Sequence, residues 1–133
     1  MKIDGRCHCG KVTYSAIVDP QSVTICHCAD CQMLTGTAYR ANIAAPAQTF
    51  LLSSGVPRIY LKTAQSGTQR AHAFCADCGT PIHSSAPDSP IKYSLRVGCL
   101  AQRAEFGLAR QQWCDSELPW AANLEDVPRL ARQ

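Results

Sequence analysis

The chain has 133 residues, 46% of them hydrophobic, and a formal net charge of +3. That length supplies one sizeable core, so residues 1–133 read as a single domain. No apolar run approaches the roughly 20 residues that cross a bilayer, and "MKIDGRCHCG" lacks the apolar stretch of a secretory leader. The expectation is a soluble, cytoplasmic protein with no membrane partner.

In chain order, Cys7 and Cys9 flank His8 in "GRCHCGK", just ahead of the first predicted strand, "KVTYSAIV". There Val12, Tyr14, Ala16 and Val18 share one face, while Lys11, Thr13 and Ser15 share the other. After the turn "DPQS", the segment "VTIC" reads as a strand with Val23 and Ile25 facing inward. Continued extension would turn Cys26 and Cys28 away from that core and His27 toward it. A turn or two of helix is expected around "ADCQMLTG", followed by shorter strand candidates in "TAYRANIA" and "QTFLL".

"RIYLKT" sets Ile59 and Leu61 opposite Arg58, Tyr60 and Lys62. "IKYSLRV" sets Ile91, Tyr93, Leu95 and Val97 opposite Lys92, Ser94 and Arg96. Such alternation marks half-buried strands of antiparallel sheets, and "SSGVP", "QSGTQ" and "APDSP" supply the turns between them. A second short helix is expected in the C-terminal "LEDVPRLARQ". With no helical stripe of ten residues or more, the fold class is mainly β with few short helices.

Nine cysteines are an odd count for a disulfide framework, and clustered thiols in a reducing compartment bind metal. Cys75 and Cys78 stand in "FCADCGTP", the form of a zinc knuckle, in which the glycine lets the backbone turn tightly so that amides can face the sulfurs. Together with the Cys7–Cys9 pair they make a closed four-sulfur site that staples the chain across 65 intervening residues. Zinc suits four thiolates best, and iron is the alternative.

Cys26, Cys28 and Cys31 can converge on a second ion, and their fourth position reads as open, the mark of a catalytic or ligand-binding metal. The alternative is a distant protein ligand such as Cys99 or a histidine. With seven thiolates around two zinc ions the net charge falls to about zero, which removes the basicity that would suggest nucleic acid. Cys99 and Cys114 stand alone and read as small buried hydrophobes. His8, His27, His72 and His83 read as surface or hydrogen-bonded residues. Arg40, Arg58, Arg70, Arg96 and Arg110 read as solvated strand-face charges, any of which could meet a substrate carboxylate.

The ordered motifs "GRCHCGKVTY", "CHCADCQMLTG" and "FCADCGTPI" resemble the glutathione-dependent formaldehyde-activating enzyme family, whose domain also occurs in centromere protein V. The resemblance runs from about Gly5 to Val127. It departs at Gln32 and Met33, where a basic residue is usual, and at Cys99 and Ala101, in a stretch where the family has Gly-Thr-Leu-Asp. Gln111 and Gln112 replace a His-Ile pair.

The resemblance implies an Mss4-like β-tent of small antiparallel sheets organised around two zinc ions per chain. It implies a structural zinc on Cys7, Cys9, Cys75 and Cys78 and a reactive zinc on Cys26, Cys28 and Cys31. The implied activity is that of a carbon–sulfur lyase that adds a small-molecule thiol, glutathione or similar, to formaldehyde or a related aldehyde. The product would be the S-hydroxymethyl adduct. Tyr39, His27 and His83 are the candidates for protonating the developing alkoxide. A non-catalytic, zinc-stabilised binding module of the same fold is the alternative reading.

Overall fold

A computed structural model describes all of residues 1–133. The chain runs through β1 (Lys2–Arg6), β2 (Thr13–Ile17), β3 (Val23–Cys26), α1 (Ala29–Thr35), β4 (Arg40–Pro46), β5 (Leu51–Ser54), β6 (Arg58–Thr63), β7 (Gln69–Phe74), β8 (Pro81–Ser85), β9 (Lys92–Arg96) and β10 (Leu108–Gln112). The strands form a three-stranded sheet, β1-β2-β5, and a seven-stranded sheet, β10-β3-β4-β9-β8-β7-β6. The protein is mainly β, and no helix is long and apolar enough to cross a membrane.

The core lies between the small sheet and one face of the large one. Val12, Tyr14, Ala16 and Val18 are buried, as the alternation in "KVTYSAIV" predicts. They meet Ile43, Ala45, Ala73, Ile82 and Leu95 of the large sheet. Ile3, Ile43, Ile82, Leu95 and Leu100 are fully enclosed, and each contributes about 1.5–3 kcal/mol by leaving water. Gly5 is opposite Tyr14 in the β1–β2 register. A Cβ there would lie 2.1 Å from the Tyr14 ring, so only glycine lets that ring cross the strand.

The other face of the large sheet is chemically opposite. Residues directly paired across a ladder share a face, and the registers pair Cys26 with Arg40, Asn42 with Arg96, Ser84 with Ser94, His72 with Ser84, and Tyr60 with His72. Arg110, Lys92, Arg70 and Lys62 fall on this same side by the same registers. None of the seven strands contains an Asp or Glu. Cys26 therefore sits on a cationic sheet face that has no strand carboxylate.

Several sequence expectations are corrected. β6 has no buried face: it is an edge strand beyond the cover of the small sheet, and Ile59 and Leu61, expected to face inward, are exposed. The C-terminal "LEDVPRLARQ" forms turns rather than a helix, as befits a segment with Pro128 at its centre. β10 pairs in parallel with β3, so the large sheet is mixed. Ile91 lies outside β9 and is exposed. Arg40 and Arg96 are buried rather than solvated. Strands β1, β7, β8 and β10 have little apolar alternation and were not legible as strands.

Candidate metal centres

The four-thiol centre is assembled by two tight turns. In the first, Cys7 N donates to Val12 O at 3.0 Å and Gly10 N to Cys7 O at 3.1 Å, with Gly10 at φ +83°. In the second, Gly79 N donates to Cys75 O and Cys75 N to Thr80 O, both at 2.9 Å, with Gly79 at φ +75°. Both glycines occupy the left-handed region that other residues enter only with strain. Thr80 ties the turns together: its hydroxyl accepts from His8 N at 3.1 Å and lies 3.1 Å from Cys78 Sγ. A Lys11–Asp77 ion pair of 2.9 Å closes the outside.

The four sulfurs all lie within 4.8 Å of one another. A tetrahedral zinc with bonds near 2.3 Å would set its sulfurs about 3.8 Å apart. Cys7 Sγ is 3.5 Å from Cys9 Sγ, and Cys9 Sγ is 3.8 Å from Cys75 Sγ. Val12 N also donates to Cys7 Sγ at 3.3 Å, as amides do to ionised sulfur. Without a cation the thiols divide. Hydrogen bonds from Thr80 and the Cys9 backbone pull Cys78 down to about 5. Cys9 keeps a favourable backbone contact from Lys11 but is pushed up to about 12, first by Cys7 and then by burial. Four sulfurs so close ionise together only around a metal ion, and the donor set fits zinc.

The second centre is built by the end of β3 and the start of α1. Cys28 caps the helix, its Sγ accepting from Cys31 N at 3.3 Å. Asp30 favours the first turn, and Gly36 at φ +67° ends the helix with its N–H on Gln32 O. The short expected helix is thus present, and it turns Cys31 back toward Cys26 and Cys28. These three sulfurs lie within 4.8 Å of one another, and no fourth His, Cys, Asp or Glu joins them. Burial opposes a charge on Cys26, yet the Cys28 backbone, Cys31 and Gln112 together hold its thiol below the ordinary range. Burial and then Cys28 push Cys31 up to about 12, against the opposing field of Arg40. This donor set also fits a metal ion.

Other sequence candidates fall elsewhere. Cys99 donates to Pro81 O at 3.0 Å and belongs to neither cluster, its thiol pushed up to about 11 by burial. Cys114 is exposed, contrary to expectation. His83 is on the core side, between Phe50 and Tyr93 at 5.2 and 4.6 Å. His27 Nε2 is 2.8 Å from Gln111 Oε1, and Tyr39 packs edge-on against the His27 ring at 5.6 Å. Gln32, at the position where a cation was expected, has a structural role: its amide donates to His27 O at 2.8 Å and Ser116 O at 2.9 Å, pinning α1.

Sequence reasoning missed a cavity of about 310 Å³, lined by Leu34 of α1, by Arg40, Tyr60, His72 and Arg96 of the cationic face, and by Pro81 after the knuckle. It lies between the two thiol centres. The alternation of "RANIA" and "KYSLR" placed Arg40 and Arg96 on a polar face. Their enclosure follows from His72 and Tyr60, on strands distant in sequence.

Comparison with known proteins agrees with these features. A family model described as "Glutathione-dependent formaldehyde-activating enzyme" matches residues 2–116. No curated protein matches the chain. Among solved structures, a crystal structure of a Rhodobacter sphaeroides protein superposes with a TM-score of 0.60 at 21% identity. The match covers 80% of this chain and 99% of that one, and at that identity it speaks for the fold alone. With the family match spanning most of its length and every cysteine of both centres, the chain belongs to the glutathione-dependent formaldehyde-activating enzyme family.

Proposed function

We propose that this protein promotes the addition of a small thiol, glutathione or one like it, to formaldehyde or a related aldehyde. The observation that carries the reading is the second centre: three sulfurs within 4.8 Å of one another, with no fourth protein ligand, beside a cavity of ligand size. Cys26, Cys28 and Cys31 would hold a reactive zinc, and Cys7, Cys9, Cys75 and Cys78 a structural one, giving two ions per chain in a cytoplasmic protein. A zinc ion held by three thiolates is too electron-rich to make hydroxide readily but lowers the pKa of an added thiol, so that a nucleophilic thiolate exists at neutral pH.

In the reaction the substrate sulfur gives its electron pair to the carbonyl carbon. The C–S bond forms as the C=O π bond opens, and the oxygen takes up the proton that the thiol released. Thiol and formaldehyde become the S-hydroxymethyl adduct with no other reactant, in the sense of a carbon–sulfur lyase run toward addition. The chain's own contribution is to position. Gln32 fixes α1 and therefore Cys31. Gln111 holds the His27 ring at Nε2, and Tyr39 packs edge-on against it.

The test is the consumption of formaldehyde and glutathione with and without protein, since thiols add to formaldehyde unaided. It is paired with zinc per chain and X-ray absorption at the zinc edge. Faster consumption, two zincs, and a higher sulfur count at one of them after thiol addition support the reading. Equal rates with both zincs already saturated by protein ligands overturn it.

A further inference from the structure

We propose that Arg40 and Arg96 form a carboxylate-binding subsite, in the cavity between the two thiol centres, that seats the acid end of the thiol substrate. The proposal rests on the thiol-addition reading for the identity of the substrate. The subsite itself rests on the two guanidiniums.

Both residues are more than nine-tenths buried, Arg40 at 5% and Arg96 at 7% exposure. Each carries a buried Nε with no hydrogen-bond partner. The chain's two ion pairs, Lys11–Asp77 and Lys62–Asp30, involve neither residue. Arg96 contacts only neutral acceptors: Asn42 Oδ1, Ser94 O at 3.5 Å and His72 Nδ1 at 3.2 Å. The strands around them supply no carboxylate. Two enclosed cations close enough to repel each other, facing the thiols of the second centre but with no carboxylate in ion-pair contact, are costly to keep. Burial first and then Arg40 press the Arg96 pKa down to about 9. An incoming carboxylate would relieve that cost, and a guanidinium fork fits a carboxylate in two-point fashion.

Position and lining narrow the ligand. Cys31 acts electrostatically on both Arg40 and Arg96, and Leu34, which lines the cavity, lies one helical turn beyond Cys31. A ligand with its acid end on the arginines can therefore present a sulfur toward the open metal position. Leu34, Tyr60, Phe74 and Pro81 give the cavity an apolar lining. That suits an organic acid with a short carbon spacer better than inorganic phosphate. Lys62 is already engaged by Asp30 at 2.6 Å, whereas neither buried arginine has an ion-pair partner.

The experiment uses zinc-loaded protein and two probes that carry no free thiol, S-methylglutathione and its diethyl ester, titrated calorimetrically at matched ionic strength. Wild type should bind the acid about tenfold or more tightly than the ester, the scale of a charge-assisted contact. Arg96→Gln should abolish the difference, and Arg96→Lys should restore only part of it. Leu34→Trp, which fills the cavity while keeping both arginines, guards against an arginine variant that fails to fold and should also abolish binding. Equal binding of acid and ester by wild type overturns the proposal. So does an Arg96→Gln protein, with zinc content unchanged, that still discriminates between them.

A parallel arm compares 3-mercaptopropionate with 2-mercaptoethanol as co-substrates, where Arg96→Gln should raise KM for the acid alone. Absence of turnover with retained acid binding would remove the enzyme reading and leave the subsite standing. Turnover without discrimination would do the reverse.

Discussion

Replacing Cys75 by serine separates the staple from the reactive centre. Cys9 and Cys75 are 66 residues apart in sequence, and their sulfurs lie 3.8 Å apart. Treated as a cross-link, closing a loop of that length removes about 4 kcal/mol of chain entropy from the unfolded state. A domain of this size has a total stability of roughly 7–20 kcal/mol, so the loss is a large share of it. Cys75 is also buried, and a serine in its place would leave a hydroxyl among sulfurs. The Cys26–Cys28–Cys31 cluster closes only a few residues, and the same relation gives about 2 kcal/mol. Urea unfolding in a buffer of fixed free zinc should therefore show Cys75→Ser losing about 4 kcal/mol or failing to fold. Cys28→Ser should lose about half of that and stay folded while losing its zinc and thiol reactivity. Cys9→Ser, at an exposed position of the same centre, extends the comparison if Cys75→Ser is insoluble. Equal losses for the two centres would refute the division of roles.

Three further outcomes are expected. His83 is held down to about 4, first by burial and then by Arg96, against about 6.5 when unfolded. Its contribution to stability is complete above pH ~6.5 and lost as pH falls toward 4; the ceiling is about 3 kcal/mol. His83→Phe should flatten that part of the acid limb in pH-dependent urea midpoints, and an unchanged limb counts against the buried neutral histidine. Gly5→Ala should cost about 1–3 kcal/mol, because its Cβ would sit 2.1 Å from the buried Tyr14 ring. The Gly5→Ala, Tyr14→Leu double variant should cost less than the sum of the singles, and simple additivity would mean that the ring is not the obstacle. A zinc chelator should lower the thermal midpoint, with recovery on adding zinc but not magnesium, since thiolates select the softer ion.

What the sequence determined by itself is local. Cys-x-Cys and Cys-x-x-Cys-Gly fix sulfur spacing through a few backbone angles, so both thiol clusters could be read without knowing the fold. The same holds for the alternation of "KVTYSAIV", whose buried face is Val12, Tyr14, Ala16 and Val18. The turn or two of helix expected around "ADCQMLTG" is equally local, and α1 occupies it.

Whatever depends on which strand lies beside which was decided only in the folded chain. "RIYLKT" alternates like a half-buried strand, yet it ends up at a sheet edge with no layer above it. "LARQQ" has no strand signature and is held in place by parallel pairing to β3. Arg40 and Arg96 alternate onto a polar face that sequence assigns to water. Strands β6 and β7 then set Tyr60 and His72 around the cavity they share. Burial of a charge is a property of its non-local neighbours, and no spacing along the chain encodes it.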